Sequence, residues 1–170
     1  MRRRFYFIFL LFFSITLNIF AETSKSEIPS LFGVYPEDNV NEAVKKLENQ
    51  GFEVIGNDGE NIMLISPLSN LKFGEQIVGA FAITYKNGRC KRIGIMFRNE
   101  YFYPTKYRKA LQDYLKHYSD VETGEIDKPN ASGDGGIYSY WIINNKYIVY
   151  SEETSGDGRP GLTILDRDSL

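Results

Sequence analysis

Apolar residues Val40, Ala43, Val44 and Leu47 recur at the i, i+3, i+4, i+7 spacing of one helical stripe, with Glu42, Lys45, Lys46 and Glu48 on the opposite side. The spacing predicts an amphipathic helix with one face made for burial. Asp38 or Asn39 can accept from its first free N–H groups, and Asn39 with Glu42 three residues on has the spacing of a capping box. Gly51 supplies the left-handed residue that ends a helix, and Phe52 just beyond it is placed to pack back on Leu47. A second stripe, Tyr107, Ala110, Leu111, Tyr114, Leu115 and Tyr118, follows Pro104 and predicts a helix to about Tyr118.

Elsewhere the apolar residues fall in short runs between turn formers. Phe52 to Ile55 and Asn61 to Ser66 flank the cluster Gly56 to Glu60 and read as a hairpin, and Pro67 to Phe73 reads as a loop. Ile77 to Tyr85 and Cys90 to Phe97 flank Asn87-Gly88, a strong hairpin signal. A two-residue loop there would split the apolar residues between faces. A three-residue loop of Lys86, Asn87 and Gly88 sets Phe81 by Ile93, Gly79 by Ile95 and Ile77 by Phe97, keeps one face apolar, and is the register expected.

Ser119 to Gly136 is polar, acidic and rich in Gly and Pro, and reads as a surface loop. Ile137 to Ile143 and Lys146 to Ser151 alternate around Asn144-Asn145, read as a two-residue hairpin loop. That register places Tyr138, Tyr140, Ile142, Tyr147 and Val149 on one face and Ser139, Trp141, Ile148 and Tyr150 on the other. Glu152 to Pro160 reads as loop and Leu162 to Leu165 as a last strand. The fold expected is α+β, a mostly antiparallel sheet of about seven strands with two amphipathic helices packed on one face. Helix-then-strands occurs twice, which adds the expectation of a diverged α–β repeat with halves near 31–97 and 101–166, although no residue-level repeat is visible.

The first residues change the picture from fold to address. Arg2, Arg3 and Arg4, an apolar run from Phe5 to Phe20, and Ala21 before Glu22 have the layout of a secretory signal peptide. As a helix, Phe5 to Phe20 would span roughly 24 Å against a hydrocarbon core of about 30 Å, which favours cleavage over retention as an anchor. The organisation expected is a signal peptide at 1–21, a flexible mature N-terminus at 22–30 and a single domain at 31–168, exported to the periplasm or secreted and not inserted in a membrane after cleavage. Removing three arginines from 20 Lys and Arg leaves 17 bases against 22 acids in the processed chain. That balance speaks against nucleic acid as a partner, because phosphate binding needs a dominant basic surface. Cys90 is the one cysteine, so it has no intrachain disulfide partner, and it reads as a buried strand residue.

Candidate chemistry is sparse. His117, the one histidine, has Asp113 one turn back, which reads as a solvated helix-surface pair, with no Ser or Cys marked as a nucleophile. One His and one Cys fall short of a zinc ligand set. Ser-Gly-Asp-Gly occurs at 132–135 and again at 155–158, at one end of the 137–151 hairpin, so Asp134 and Asp157 are calcium candidates, yet the spacing matches no calcium loop and also suits plain turns. Tyr138, Tyr140, Trp141, Tyr147 and Tyr150 crowd that hairpin and are the candidate binding residues, since a sheet has one core face and a bare aromatic face marks a binding surface. Nine bases against Glu100 and Asp113 between Lys86 and His117 read either as a basic patch or as half of two complementary surfaces in one fold.

Phe32-Gly33-Val34, the helix with Val40, Ala43, Val44 and Leu47, Gly51-Phe52 with the strand after it, and the hairpin Tyr85-Lys86-Asn87-Gly88-Arg89 together resemble small exported bacterial domains. These are the beta-lactamase-inhibitor-protein-like group and the outer-membrane assembly lipoproteins. The resemblance implies an antiparallel sheet preceded by a helical element and a role in binding other proteins. It carries over no functional residue, and the lipid-acceptor cysteine of the lipoproteins has no counterpart near Ala21. The function expected is therefore a non-enzymatic periplasmic or secreted binding module for another protein or an envelope component, with no catalytic residue and no cofactor assigned. The alternative is an envelope hydrolase or transferase using carboxylates around Asp127, Asp134 and Asp157.

Overall fold

The computed structural model describes residues 28–67, 70–118, 121–129, 135–153 and 160–169, with backbone alone for 124–129, 135–138, 153 and 169. The expected leader, residues 1–21, lies outside the described residues, and among those described no helix is long and apolar enough to cross a membrane.

The first helix, α1, runs Val40–Glu48, and its ends are those the sequence specifies. The Asn39 side chain accepts from the N–H groups of Asn41 and Glu42 at 3.0 and 3.3 Å. At the other end Gly51 sits at φ +95°, and the N–H groups of Phe52 and Gly51 donate to the carbonyls of Leu47 and Glu48, the paired bonds of a Schellman ending. Val40, Ala43 and Leu47 are buried and Val44 is half-buried. The segment before the helix is fastened to the sheet as well: Val40 N–H donates to the Gly88 carbonyl, and the Cys90 N–H to that of Asp38.

Among the described residues nine antiparallel strands follow: β1 Glu53–Asn57, β2 Asn61–Ile65, β3 Lys72–Phe73, β4 Gln76–Lys86, β5 Arg89–Phe97, β6 Val121–Pro129, β7 Gly135–Ile143, β8 Tyr147–Glu153 and β9 Gly161–Asp166. The second helix, α2, covers Pro104–Leu115, stopping short of Tyr118. The sheet order is β1-β2-β4-β5-β9-β8-β7-β6, with β3 added to β4. Each half is thus a helix followed by a meander, and the second meander runs back from the first, with β5 and β9, the last strands of the two halves, paired at the centre.

Both helices lie on one face, over Leu64, Phe81, Ile83, Ile93, Ile95, Val149, Leu162 and Ile164. Tyr107 of α2 reaches through this layer, its hydroxyl 2.7 Å from Ser151 Oγ, so the buried polar groups satisfy each other. Packing begins ahead of the expected boundary at residue 31: Pro29 is buried, and the Tyr114 hydroxyl donates to the Ser30 carbonyl at 3.2 Å.

Four details depart from the sequence reading. Part of the expected loop 119–136 is strand β6, which lies at the edge of the sheet and pairs with β7 alone. An edge strand has one neighbour to satisfy and tolerates the polar, proline-ended composition that hid it. The short β3 falls at the end of the expected loop 67–73. In the β4–β5 hairpin the turn is the two residues Asn87-Gly88, both at positive φ, and a bulge one pair further in restores odd-to-odd pairing. Phe81 therefore faces Ile95 rather than Ile93, and Ile83 faces Ile93, an odd-to-odd register slid by two residues; a second bulge at Gly79 then breaks the expected parity, so Phe97 faces Val78 rather than Ile77. In the β7–β8 hairpin the turn is three residues, Asn144 to Lys146, so Ile143 faces Tyr147 and the faces inferred for the aromatic residues are regrouped.

Candidate functional site

The regrouping decides which hairpin aromatics can meet a partner. Ser139, Trp141, Ile143, Tyr147, Val149 and Ser151 share the helix-covered face. Tyr147 is 5% exposed and is core; Trp141 is half-buried and packed against that core. Tyr140 and Tyr150 face each other across the ladder on the opposite face, beside the pair Ile142 and Ile148, and all four are half-buried. Tyr138 is described only as a ladder position opposite Glu152. The split of the five candidates between faces therefore changes, because a three-residue turn moves Tyr147 to the face of Trp141 and brings Tyr150 opposite Tyr140.

Among the described residues no element covers the face that carries Tyr140 and Tyr150. The ladder pairings place Tyr140, Tyr150, Thr163, Gly94, Ala82 and Met63 side by side across six strands. That row is roughly 24 Å long at the usual strand spacing. Its middle is low because the side chains there are small. A Cβ on Gly94 would come within 3.0 Å of Thr163 Oγ1 and 3.4 Å of the Leu162 carbonyl oxygen. The result is a depression of about 460 Å³ with Tyr150, Met63 and Met96 in its walls, Arg92 in one flanking row and Glu152 in the other. A second depression of about 290 Å³ adjoins it at Met96 and extends to Arg98, whose guanidinium donates to the Ser66 carbonyl at 2.8 Å.

None of the central residues, Gly94, Ala82, Met63 or Thr163, stood out in the sequence. Glycine and alanine inside strands carry no chemical motif; the signal that could have found them is their coincidence in one ladder row, which needs the register.

Of the remaining candidates, only the basic run reaches this face among the described residues, through Arg92 and Arg98 in the two depressions. His117 is exposed, and Asp113 pairs with Lys116 at 2.8 Å, whose hydrogen bond and charge hold the carboxyl below its usual range. Part of the run of bases is paired within the fold. Lys91 pairs with Glu37 and Lys106 with Glu75, both acids from the first part of the chain, which supports the reading as complementary surfaces. Asp134 and Asp157 lie outside the described residues, and Asp127 is described only as a ladder position opposite Ile137. No group of three metal-ligating side chains occurs among the described residues.

Cys90 is fully buried, and desolvation pushes its thiol up to about 11. A raised value disfavours the nucleophilic thiolate. The associated stability is present below the ordinary thiol value of about 8.5 and is lost as pH rises toward the folded-state value. Alkylation at pH 8 is expected to be at least 100-fold slower in the native protein than in concentrated guanidinium chloride, read by mass spectrometry. Equal rates in the two states would mean that the thiol is open.

Comparison with known protein families, with characterised proteins and with solved structures returns no match for this chain.

Proposed function

We propose that the chain is an exported, non-enzymatic binding module that receives a protein partner of the cell envelope on the uncovered face of its sheet. The observation that carries this reading is the depression at the centre of that face, small-floored at Gly94 and Ala82 and continued by the ring pair Tyr140 and Tyr150. Aromatic side chains fixed in a strand lose little entropy on binding, and thioether walls adapt to varied shapes. Export rests on the basic and apolar layout of residues 1–21.

Retention from envelope extract tests it. Wild type is expected to hold a defined partner that the double variant Tyr140→Ala, Tyr150→Ala loses tenfold or more, a change of about 1.4 kcal/mol or greater. Trp141→Phe, altered on the helix-covered face, is expected to keep it. Equal retention by the double variant, or no specific partner for wild type, would remove the reading.

A further inference from the structure

A second surface lies at the end of the sheet. β1 is the outermost strand beside β2 and is exposed along its whole length. Its two apolar side chains, Val54 and Ile55, are 42% and 58% exposed. Ile55 is skipped in the pairing with β2, where the register shifts between Val54 and Gly56. A strand at a sheet edge presents a row of main-chain donors and acceptors on its outer side, and proteins blunt such edges with short strands, bulges, charges, proline or a covering element; β1 is short, bulged and acidic, which guards it against acidic edges but not against a basic segment. Here β1, β2 and the turn between them contain neither lysine nor proline. Between Lys46 and Lys72 the chain carries four acids, Glu48, Glu53, Asp58 and Glu60, and no base. Asp58 is fixed as an anion at the end of the edge: its carboxylate accepts from the N–H groups of Glu60 and Asn61 at 2.9 and 2.7 Å.

These charges choose among occupants. Antiparallel pairing of β1 with β1 of a second copy about Ile55 would set Glu53 of each copy opposite Asn57 of the other, with Asp58 next along, and bring together two acidic edges with no base to offset them. The opposite edge of this sheet, β6, contributes Glu122, Glu125 and Asp127 against Lys128 and is no better matched. A segment with bases flanking apolar residues meets the acids favourably and covers Val54 and Ile55.

We propose that the outer edge of β1 is a strand-addition site for an extended, basic segment of a partner protein, whose main chain pairs with Glu53–Asn57 and whose apolar side chains rest on Val54 and Ile55. The segment paired is short, about five residues and roughly 17 Å, and the bulge at Ile55 turns that side chain into an anchor rather than a ladder position. The site is separate from the Tyr140 and Tyr150 face, so either surface can fail without the other.

The test uses the chain as recovered after export and a blocked peptide of about ten residues, alternating valine and threonine with lysine at both ends. Saturating peptide is expected to slow amide exchange at Glu53–Asn57 tenfold or more, with chemical-shift changes centred on β1. The same peptide N-methylated along its pairing edge is expected to give no response, and one with glutamate in place of lysine to bind at least tenfold more weakly at low salt. Ile55→Lys, at an exposed position, is expected to keep the wild-type spectrum elsewhere and to lose the response tenfold or more. A response confined to other strands, an equal response to the N-methylated or glutamate peptide, or concentration-dependent self-association through β1 without peptide would overturn the proposal.

Discussion

Replacing Phe81 by alanine is expected to lower the unfolding free energy by about 3–5 kcal/mol, measured by denaturant titration with an unchanged slope. Phe81 is fully buried in β4 and is one corner of a ring triangle with Phe32 and Phe52, all three pairs edge-on, with centroids 6.4, 5.5 and 5.8 Å apart. Each corner comes from a different part of the chain: the turn before α1, the residue after its stop, and the centre of the sheet. Phe32 is itself held at φ 54° in a Leu31-to-Val34 turn, its carbonyl accepting from the Gln50 side chain at 2.9 Å. Removing Phe81 therefore opens a cavity whose walls are fixed on three sides and collapse little, the condition under which truncation costs most. Against a total of about 5–15 kcal/mol for a domain of this kind, that loss leaves little of the native state in reserve. A loss below about 1 kcal/mol would mean that α1 is not anchored on the sheet through these rings.

The same corner shows what the sequence makes legible. The cap at Asn39, the buried stripe and the Gly51-Phe52 ending are local: each is specified within four residues, and each is realised with the hydrogen bonds its residue types call for. Fold class was legible for a related reason, since hairpin-linked runs and two stripes admit few layered arrangements. Register was not. At Asn87-Gly88 the hairpin was readable, but its loop is two residues rather than the expected three, because a bulge at Lys91, and not the loop, keeps Phe81, Ile83, Ile93 and Ile95 on the helix side, a demand of packing rather than of any local residue. At Asn144 to Lys146 one extra turn residue exchanged the faces of Tyr147 and Tyr150. β6 was hidden because an edge strand has little need of an apolar pattern. The candidate site depends on register twice over, once for the tyrosine pair and once for the row of small residues beside it, so only its aromatic half could be named beforehand, and that half was grouped wrongly.

The second large effect separates binding from folding at the centre of that row. Ala82→Trp is expected to reduce partner retention 100-fold or more while shifting the melting temperature by only a few degrees. Ala82 lies between Gly94 and Met63 on the uncovered face, in the floor of the depression, and is half-buried with no helix above it among the described residues. An indole there stands outward, rests on the thioethers of Met63 and Met96, and suits a strand position. It creates no void in the core beneath, whose ladder positions on β4 are Phe81 and Ile83. What it removes is space: a partner group seated in the depression would have to withdraw, and a fully desolvated central contact carries most of an interface's free energy. Gly94→Ala is the milder companion, limited by the 3.0 Å approach to Thr163 Oγ1, and is expected to cost both stability and binding modestly. Retention by Ala82→Trp at the wild-type level, with the variant folded by its near-ultraviolet circular dichroism, would place the partner elsewhere and leave the β1 edge as the surface to pursue. A variant that loses both binding and its melting transition would instead show that Ala82 is needed for the sheet. The Tyr140 and Tyr150 pair, three and two strands away from Gly94 in the same row, then provides the separation of the two effects, because truncating half-buried tyrosines on an uncovered face leaves the ladder and the core intact.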